Sequence, residues 1–306
     1  MSQNWQSHSL LLFFTIVWGG NFVLAEIALH EISPLAFSSL RLGIGGFFVV
    51  LIFLCKSQKP WRTFRAFSTN EWLRFAIVIS LGAVIAPWMG IEGLKQTDGG
   101  RASIWLALGP LFSMIIGNRL KTERYGILVF TGLLLALVGF FLMIWDGLTF
   151  HTEYWRGDLL LISALLATVL ELHAIKPLII QYGAIKVLLL RSLFGSLFYL
   201  LIAYPSISEV NWNMLSTVTW IAIIFGGIVG ISLGQWVKMN AIDSIGPTRV
   251  VMYGNLVPVT TLIISMFILA GNPTPTEWCA VVLMMSGIFM VQWWDYNNKA
   301  LLSKSG

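Results

Sequence analysis

Charge is what this sequence has least of. Only 11% of its 306 residues are Asp, Glu, Lys or Arg, against about a quarter in an ordinary soluble domain. A chain so poor in charge cannot cover a water-facing surface in the usual way. Cysteine is scarce too. Cys55 and Cys279 stand far apart, which offers neither a disulfide framework nor zinc-ligand spacing. No Walker A run is present, so ATP is not the direct driving force. Nothing reads as an HExxH helix or an aspartate pair inside an apolar run, and no nucleophile elbow is expected. The expectation is a protein that is not an enzyme, with no catalytic residue, no metal and no cofactor. The first seven residues carry no Lys or Arg, so the first apolar run reads as a retained span and not as a cleavable leader.

What the chain has instead is apolar length. It is 57% hydrophobic, with a mean hydropathy of +0.80. Ten apolar runs cover residues 9–29, 35–54, 75–94, 102–118, 127–145, 159–180, 187–204, 214–237, 250–270 and 277–294. Each is near the roughly 17–25 residues that cross a bilayer core. In lipid a spanning backbone must satisfy its own hydrogen bonds, so the spans are expected to be helical. The predicted fold is an all-α membrane protein of ten transmembrane helices.

Loop charges predict the orientation. With the N-terminus cytoplasmic, Lys56, Lys59, Arg62, Arg65, Arg119, Lys121, Arg124, Lys176, Lys186, Lys238, Arg249, Lys299 and Lys304 fall inside, and Lys95, Arg101 and Arg156 outside. Thirteen against three satisfies the positive-inside rule. The net charge of +5 then reflects loop bias, and no nucleic-acid partner is implied. Both termini are expected in the cytoplasm, with the chain multi-pass in the inner (plasma) membrane.

The two halves repeat. A shift of 148 residues places Trp72 on Trp220, Gly82 on Gly230, Trp88 on Trp236, Arg101 on Arg249, Pro110 on Pro258 and Gly139 on Gly287. Near the start of each half the shift becomes 150, placing Arg41 on Arg191 and Gly45 on Gly195. With five spans each, the halves (8–145 and 156–295) must insert upside down relative to one another. Inverted repeats are a recurrent plan for secondary transporters, with the site near the midplane between them.

Several runs carry a family resemblance: "WGGNF" at Trp18–Phe22, "SPLAFSSLR" ending at Arg41, "LGPLFSMIIGNRLKTER" from Leu108, "GDLLLISALLA" from Gly157 and "NLVPV" at Asn255–Val259. In order, they make the chain resemble the EamA group of the drug/metabolite transporter superfamily over nearly its whole length. The resemblance implies two inverted five-helix repeats around a central cavity lined mostly by spans 1, 3, 4, 6, 8 and 9. It also implies export of amino acids or other small metabolites, often proton-coupled or by exchange. The chain departs from the family pattern at Glu26, Val257 and Gly271.

Candidate site residues emerge from depth and charge. Glu171 lies just past the middle of span 6, where a carboxylate costs about 2.5–3.5 kcal/mol or more and usually meets a cavity or a partner. It is expected to face the cavity and hold a proton or a cationic group, the alternative being a structural pair with Arg191. His173, about 200° further round the helix, is either a proton carrier or a packing histidine. Most of the fourteen tryptophans fall at span ends as an interfacial belt. Trp18, Trp88, Trp105 and Trp236 lie deeper. With Glu171 they are candidates for an aromatic cage around a cationic or aromatic solute, the alternative being packing towards lipid. Asn21, Tyr253 and Asn255 complete the substrate-binding candidates. Arg101 and Arg249 are candidate mouth or helix-end charges. The expected partners are a small-molecule substrate and the lipid bilayer, in a monomer or homodimer. The function expected is a secondary transporter that exports a small organic metabolite such as an amino acid or amine. The alternative is a lipid-headgroup or lipid-carrier flippase.

Overall fold

The computed structural model describes residues 3–56, 67–96, 105, 107–123, 125–145, 154–268 and 273–298. Among them the chain is helical, with no strand. Eight helices are long and apolar enough to cross a bilayer. They are α1 (Gln3–Ala28), α2 (Pro34–Lys56), α3 (Thr69–Gly93), α5 (Ile127–Ile144), α6 (Trp155–Tyr182), α7 (Ala184–Ile202), α8 (Thr217–Ile245) and α11 (Pro275–Asn297). Three shorter helices matter for the site: α4 (Gly109–Arg119), α9 (Pro247–Gly254) and α10 (Val257–Ile268); a one-turn helix at Tyr204–Ser208 and a 3-10 turn at Trp212–Met214 follow α7.

Within the expected spans 102–118 and 250–270, the described residues break the helix at Leu108 and at Asn255–Leu256. The cause is local. α4 and α10 each restart with a proline as their second residue, Pro110 and Pro258. Proline has no N–H to continue a preceding turn and its ring crowds the carbonyl four residues back. Their first residues, Gly109 and Val257, are 148 positions apart, the offset of the sequence repeat.

Other ends have readable causes. Ser68 and Glu71 form a reciprocal capping box at the start of α3, and Thr274 and Glu277 form another at the start of α11. Each satisfies two otherwise orphaned backbone donors. Gly183 and Gly246 join α6 to α7 and α8 to α9 with φ of 84° and 89°, a region glycine enters without steric cost.

Two long helices are not uniformly α-helical. α3 contains a π-helical segment at Ser80–Ile85, and α8 contains one at Gly226–Leu233. Both end at the same place in the 148-residue repeat. An extra residue in a turn rotates everything after it by about 100° relative to a regular α-helix.

Packing is uneven along the molecule. The larger apolar core includes Phe14, Phe75, Leu133, Ile175, Leu188 and Met284. A smaller one gathers Ala25, Ala28, Ile32, Phe37 and Ile223 around the turn from α1 to α2.

Candidate functional site

One cavity has a volume of about 940 Å³, at the upper end for a small-molecule site. α1 contributes Trp18, Asn21, Phe22 and Glu26, and α2 contributes Arg41. Thr168 comes from α6, Gly230 and Gln235 from α8, and Asn255 from the break between α9 and α10. Apolar groups such as Phe140, Met143, Val251 and Leu262 fill the remaining wall. Trp18 is held by its Nε1–H, which donates to the Gly230 carbonyl at 3.3 Å. Asn255 donates from Nδ2 to the Ala107 carbonyl at 3.1 Å, an acceptor just before α4. Among the described residues of the lining only two are charged, Arg41 and Glu26.

Glu171 does not line this cavity, and the expectation that it would face it is corrected. Its carboxylate is buried, 1% exposed, and accepts from Arg191 Nε at 2.6 Å. Arg191 also donates to the Gly82 carbonyl at 3.1 Å. The physical reason is room. A side chain on Gly82 would occupy the place of the Glu171 carboxyl, so the bare backbone of α3 admits the acid and turns it towards α7. Lys238 and Gln235 border the same gap, which has no room for a water molecule. Gln235 is the one residue shared between this gap and the large cavity.

A second, buried polar network is centred on Arg249. Arg249, 2% exposed, donates through Nε to both carboxylate oxygens of Asp295 at 2.8 and 2.7 Å. Its Nη1 reaches Glu123 at 3.4 Å. Glu123 also accepts from the Thr248 backbone N–H at 3.1 Å, from the Thr248 hydroxyl at 2.6 Å and from Tyr125 at 2.9 Å. A carboxylate at the first turn of α9 answers both the orphaned N–H and the positive end of the helix dipole. Ser113 bridges Thr248 to His173 Nε2 at 2.9 and 3.0 Å, and His173 Nδ1 meets Thr122 at 2.9 Å. His8 lies 3.4 Å from Asp295 and hydrogen-bonds Tyr253 at 2.8 Å. The network ties α1, α4, α6, α9 and α11 together. Tyr125 lies outside the long spans, and burial beside Glu123 pushes its hydroxyl well above the usual phenol range. It serves as a donor.

The sequence-predicted residues therefore divide. Trp18, Asn21 and Asn255 line the cavity together. Tyr253 is buried and bonded to His8 and Gln292, and His173 is bonded on both ring nitrogens. Neither lines the cavity. Trp105 donates to Asp158 at 3.0 Å. Trp88 is half exposed in a lateral cleft of about 330 Å³ between α3 and α7, and Trp236 is 38% exposed. The aromatic cage is thus not assembled: only Trp18 of the four tryptophans is on the cavity wall. Trp88 and Trp236 both come after a π-helical segment, whose added rotation regular helical spacing does not anticipate. Of the two roles expected for Arg249, mouth or helix-end charge, the position matches the second: it stands in the first turn of α9, where two carboxylates hold it in the interior. Arg101 lies outside the described residues.

Sequence reasoning passed over Arg41 and Glu26 as cavity residues, and Asp295 as the partner of Arg249. One signal was available: of the 150-offset mates, both arginines are kept, but Glu171 stands opposite Asn21. The letters of residues 230–234, GISLG, also match a nucleophile-elbow pattern. Ser232 lies buried within helix α8, not at the strand-to-helix turn that exposes such a nucleophile.

The EamA-like transporter family matches residues 6–145 and again 155–293, and the chain belongs to that family. An uncharacterized transporter of Bacillus subtilis, YoaV, is 24% identical over 90% of this chain and 93% of its own length. A probable amino-acid metabolite efflux pump of Salmonella typhimurium is 23% identical, over 92% and 93%. A solved crystal structure superimposes with a TM-score of 0.79 at 18% identity, covering 95% of this chain and 98% of that one. That likeness is one of fold.

Proposed function

We propose that this member of the EamA-like transporter family is a secondary transporter that exports a small organic metabolite such as an amino acid, by alternating access. The observation that carries the reading is the cavity of about 940 Å³. It is walled by parts of both halves, and in this reading the buried ion-pair network around Arg249 seals one end of it. A solute-sized space reachable from one side and sealed at the other is what one state of alternating access requires. The family membership and a relative named as an amino-acid metabolite efflux pump support the same class of solute.

In this reading the chain crosses the inner membrane ten times, with both termini cytoplasmic. The repeats 8–145 and 156–295 are the two inverted units. The coincident helix restarts at Gly109 and Val257, and the coincident π-helical segments, support that division. One chain supplies the whole cavity, so a monomer is sufficient. The Glu171–Arg191 cluster sits where a cavity of the opposite-facing state would open.

The test is counterflow. Proteoliposomes loaded with unlabelled amino acids, amines or organic acids are offered the labelled compound outside. Transient accumulation above protein-free vesicles for at least one solute is the expected result. Purified, folded protein that moves none of them, but scrambles a labelled lipid between leaflets, would replace the reading with a flippase.

A further inference from the structure

We propose that Arg41 and Asn21 form a recognition point for a carboxylate group of the solute on the wall of the large cavity. The inference rests on the transport reading of that cavity and adds the charge of the solute to it.

The first observation is an unanswered cation. Arg41 makes no ion pair or hydrogen bond among the described residues, and its one close partner is the Phe37 ring, 5.0 Å from the guanidinium carbon. Its Nε is buried without a partner, as is Asn21 Oδ1. Both side chains lie against the glycine face of α8. A Cβ on Gly226 would collide with Arg41 Nε and stand 2.8 Å from Asn21 Oδ1. One on Gly230 would stand 3.1 Å from Asn21 Nδ2 and 3.7 Å from Arg41 Nη2. Guanidinium and amide are thus side by side, over bare backbone, at the edge of a solute-sized space. Which end of the amide faces the guanidinium is an assignment. Either way the pair can offer N–H donors to an oxyanion.

The second observation comes from the other half of the molecule. Arg191 is the 150-offset mate of Arg41, Gly82 the 148-offset mate of Gly230, and Glu171 the 150-offset mate of Asn21. In that cluster the guanidinium is answered by a carboxylate at 2.6 Å, seated against the glycine. The molecule thereby displays what such an arginine over such a glycine accepts. On the cavity side the acid is an amide, and the place of the carboxylate is left for a ligand. A guanidinium is matched to a carboxylate in shape as well as charge.

The third observation selects among anions. Glu26 is the only other charged residue among the described residues of the cavity wall, about one and a half turns along α1 from Asn21. With one cation and one anion present, a singly charged carboxylate is favoured over a dianion such as a phosphate monoester.

The experiment uses benzoate and benzylamine, the same ring with opposite charge, on purified full-length protein in nanodiscs without acidic lipid. Saturable binding of radiolabelled benzoate, with a dissociation constant of about 1 mM or tighter, and none of benzylamine are expected. Arg41→Gln should weaken benzoate at least tenfold. Arg41→Lys should retain part of it. Asn21→Glu should abolish it by supplying an internal carboxylate, while raising thermal stability. The inference is overturned if benzoate does not bind saturably, or binds Arg41→Gln as well as the parent protein. Counterflow separates the two readings. Arg41-dependent benzoate binding without transport of any solute would sink the transport reading and leave the site. Transport that survives Arg41→Gln unchanged, in a protein that ignores benzoate, would do the reverse.

Discussion

Two arginines in corresponding places meet opposite fates. Arg191 lies between α6 and α3, paired with Glu171 and bonded to the Gly82 carbonyl, beside a gap that holds no water. Arg41 lies between α1 and α8, beside Asn21, with its Nε unpaired, at the edge of a cavity of about 940 Å³. One acid makes the difference. With a carboxylate in reach, the helices close around a neutral pair. With an amide in its place, the guanidinium keeps its charge, and the neighbouring space stays large enough for a solute. A buried cation is costly in a membrane unless it meets a cavity or a partner; the two halves illustrate the two remedies.

The largest effects should come from breaking the closed cluster. Arg191→Gln leaves Glu171 buried without its paired countercharge. A loss of about 3–5 kcal/mol is expected, read as a lowered thermal-unfolding midpoint in detergent. Gly82→Ala should approach the same loss, because its methyl takes the place of the Glu171 carboxyl. A midpoint unchanged in both variants would mean that the Glu171–Arg191 pair does not hold α3, α6 and α7 together.

The same chemistry applied to the other cluster should do much less. Arg41→Gln removes no partner from an acid and forfeits mainly the Phe37 contact, about 1 kcal/mol or less. A stability loss equal to that of Arg191→Gln would erase the contrast between the clusters. In the Arg249 network, Glu123→Gln weakens four interactions at once, those from the Thr248 backbone and hydroxyl, Tyr125 and Arg249. A loss of about 3 kcal/mol is expected, together with faster amide exchange at the start of α9. Unaltered exchange there would show that the network does not latch that end.

The smallest effect concerns Glu31, in the turn between α1 and α2. It accepts from the Ser216 N–H at 2.8 Å and the Thr219 hydroxyl at 2.7 Å. The backbone N–H of Ser216 and then the hydroxyls of Thr219 and Ser216 hold its carboxyl below the usual value of 4.5. The contribution is therefore present above that value and fades as pH falls through the lowered one. Glu31→Gln should leave the unfolding midpoint almost unchanged at pH 7 and flatten its decline in acid. Solvent exposure keeps the effect small.

Much of this was legible in the chain alone. Hydrophobic length specified an all-helical membrane protein, because lipid leaves a spanning backbone no other way to satisfy its polar groups. The 148-residue offset located the paired prolines, and α4 and α10 restart at those places. Depth, polarity and the family resemblance together pointed to Trp18, Asn21 and Asn255, which border the cavity. The facing of Trp88 and Trp236 was not legible, because one π-helical segment in each of α3 and α8 rotates the turns beyond it, and no residue type announces that rotation. Nor was the choice between cavity and partner for a buried charge. Glu171, Arg41 and Arg249 sit in similar apolar surroundings in sequence. Whether each meets a carboxylate, a guanidinium or open space depends on groups 20 to 126 residues away, and on glycines that let them approach. Periodicity is a local property and the sequence carries it outright. Charge compensation is a contact between distant segments, so only the tertiary structure decides it.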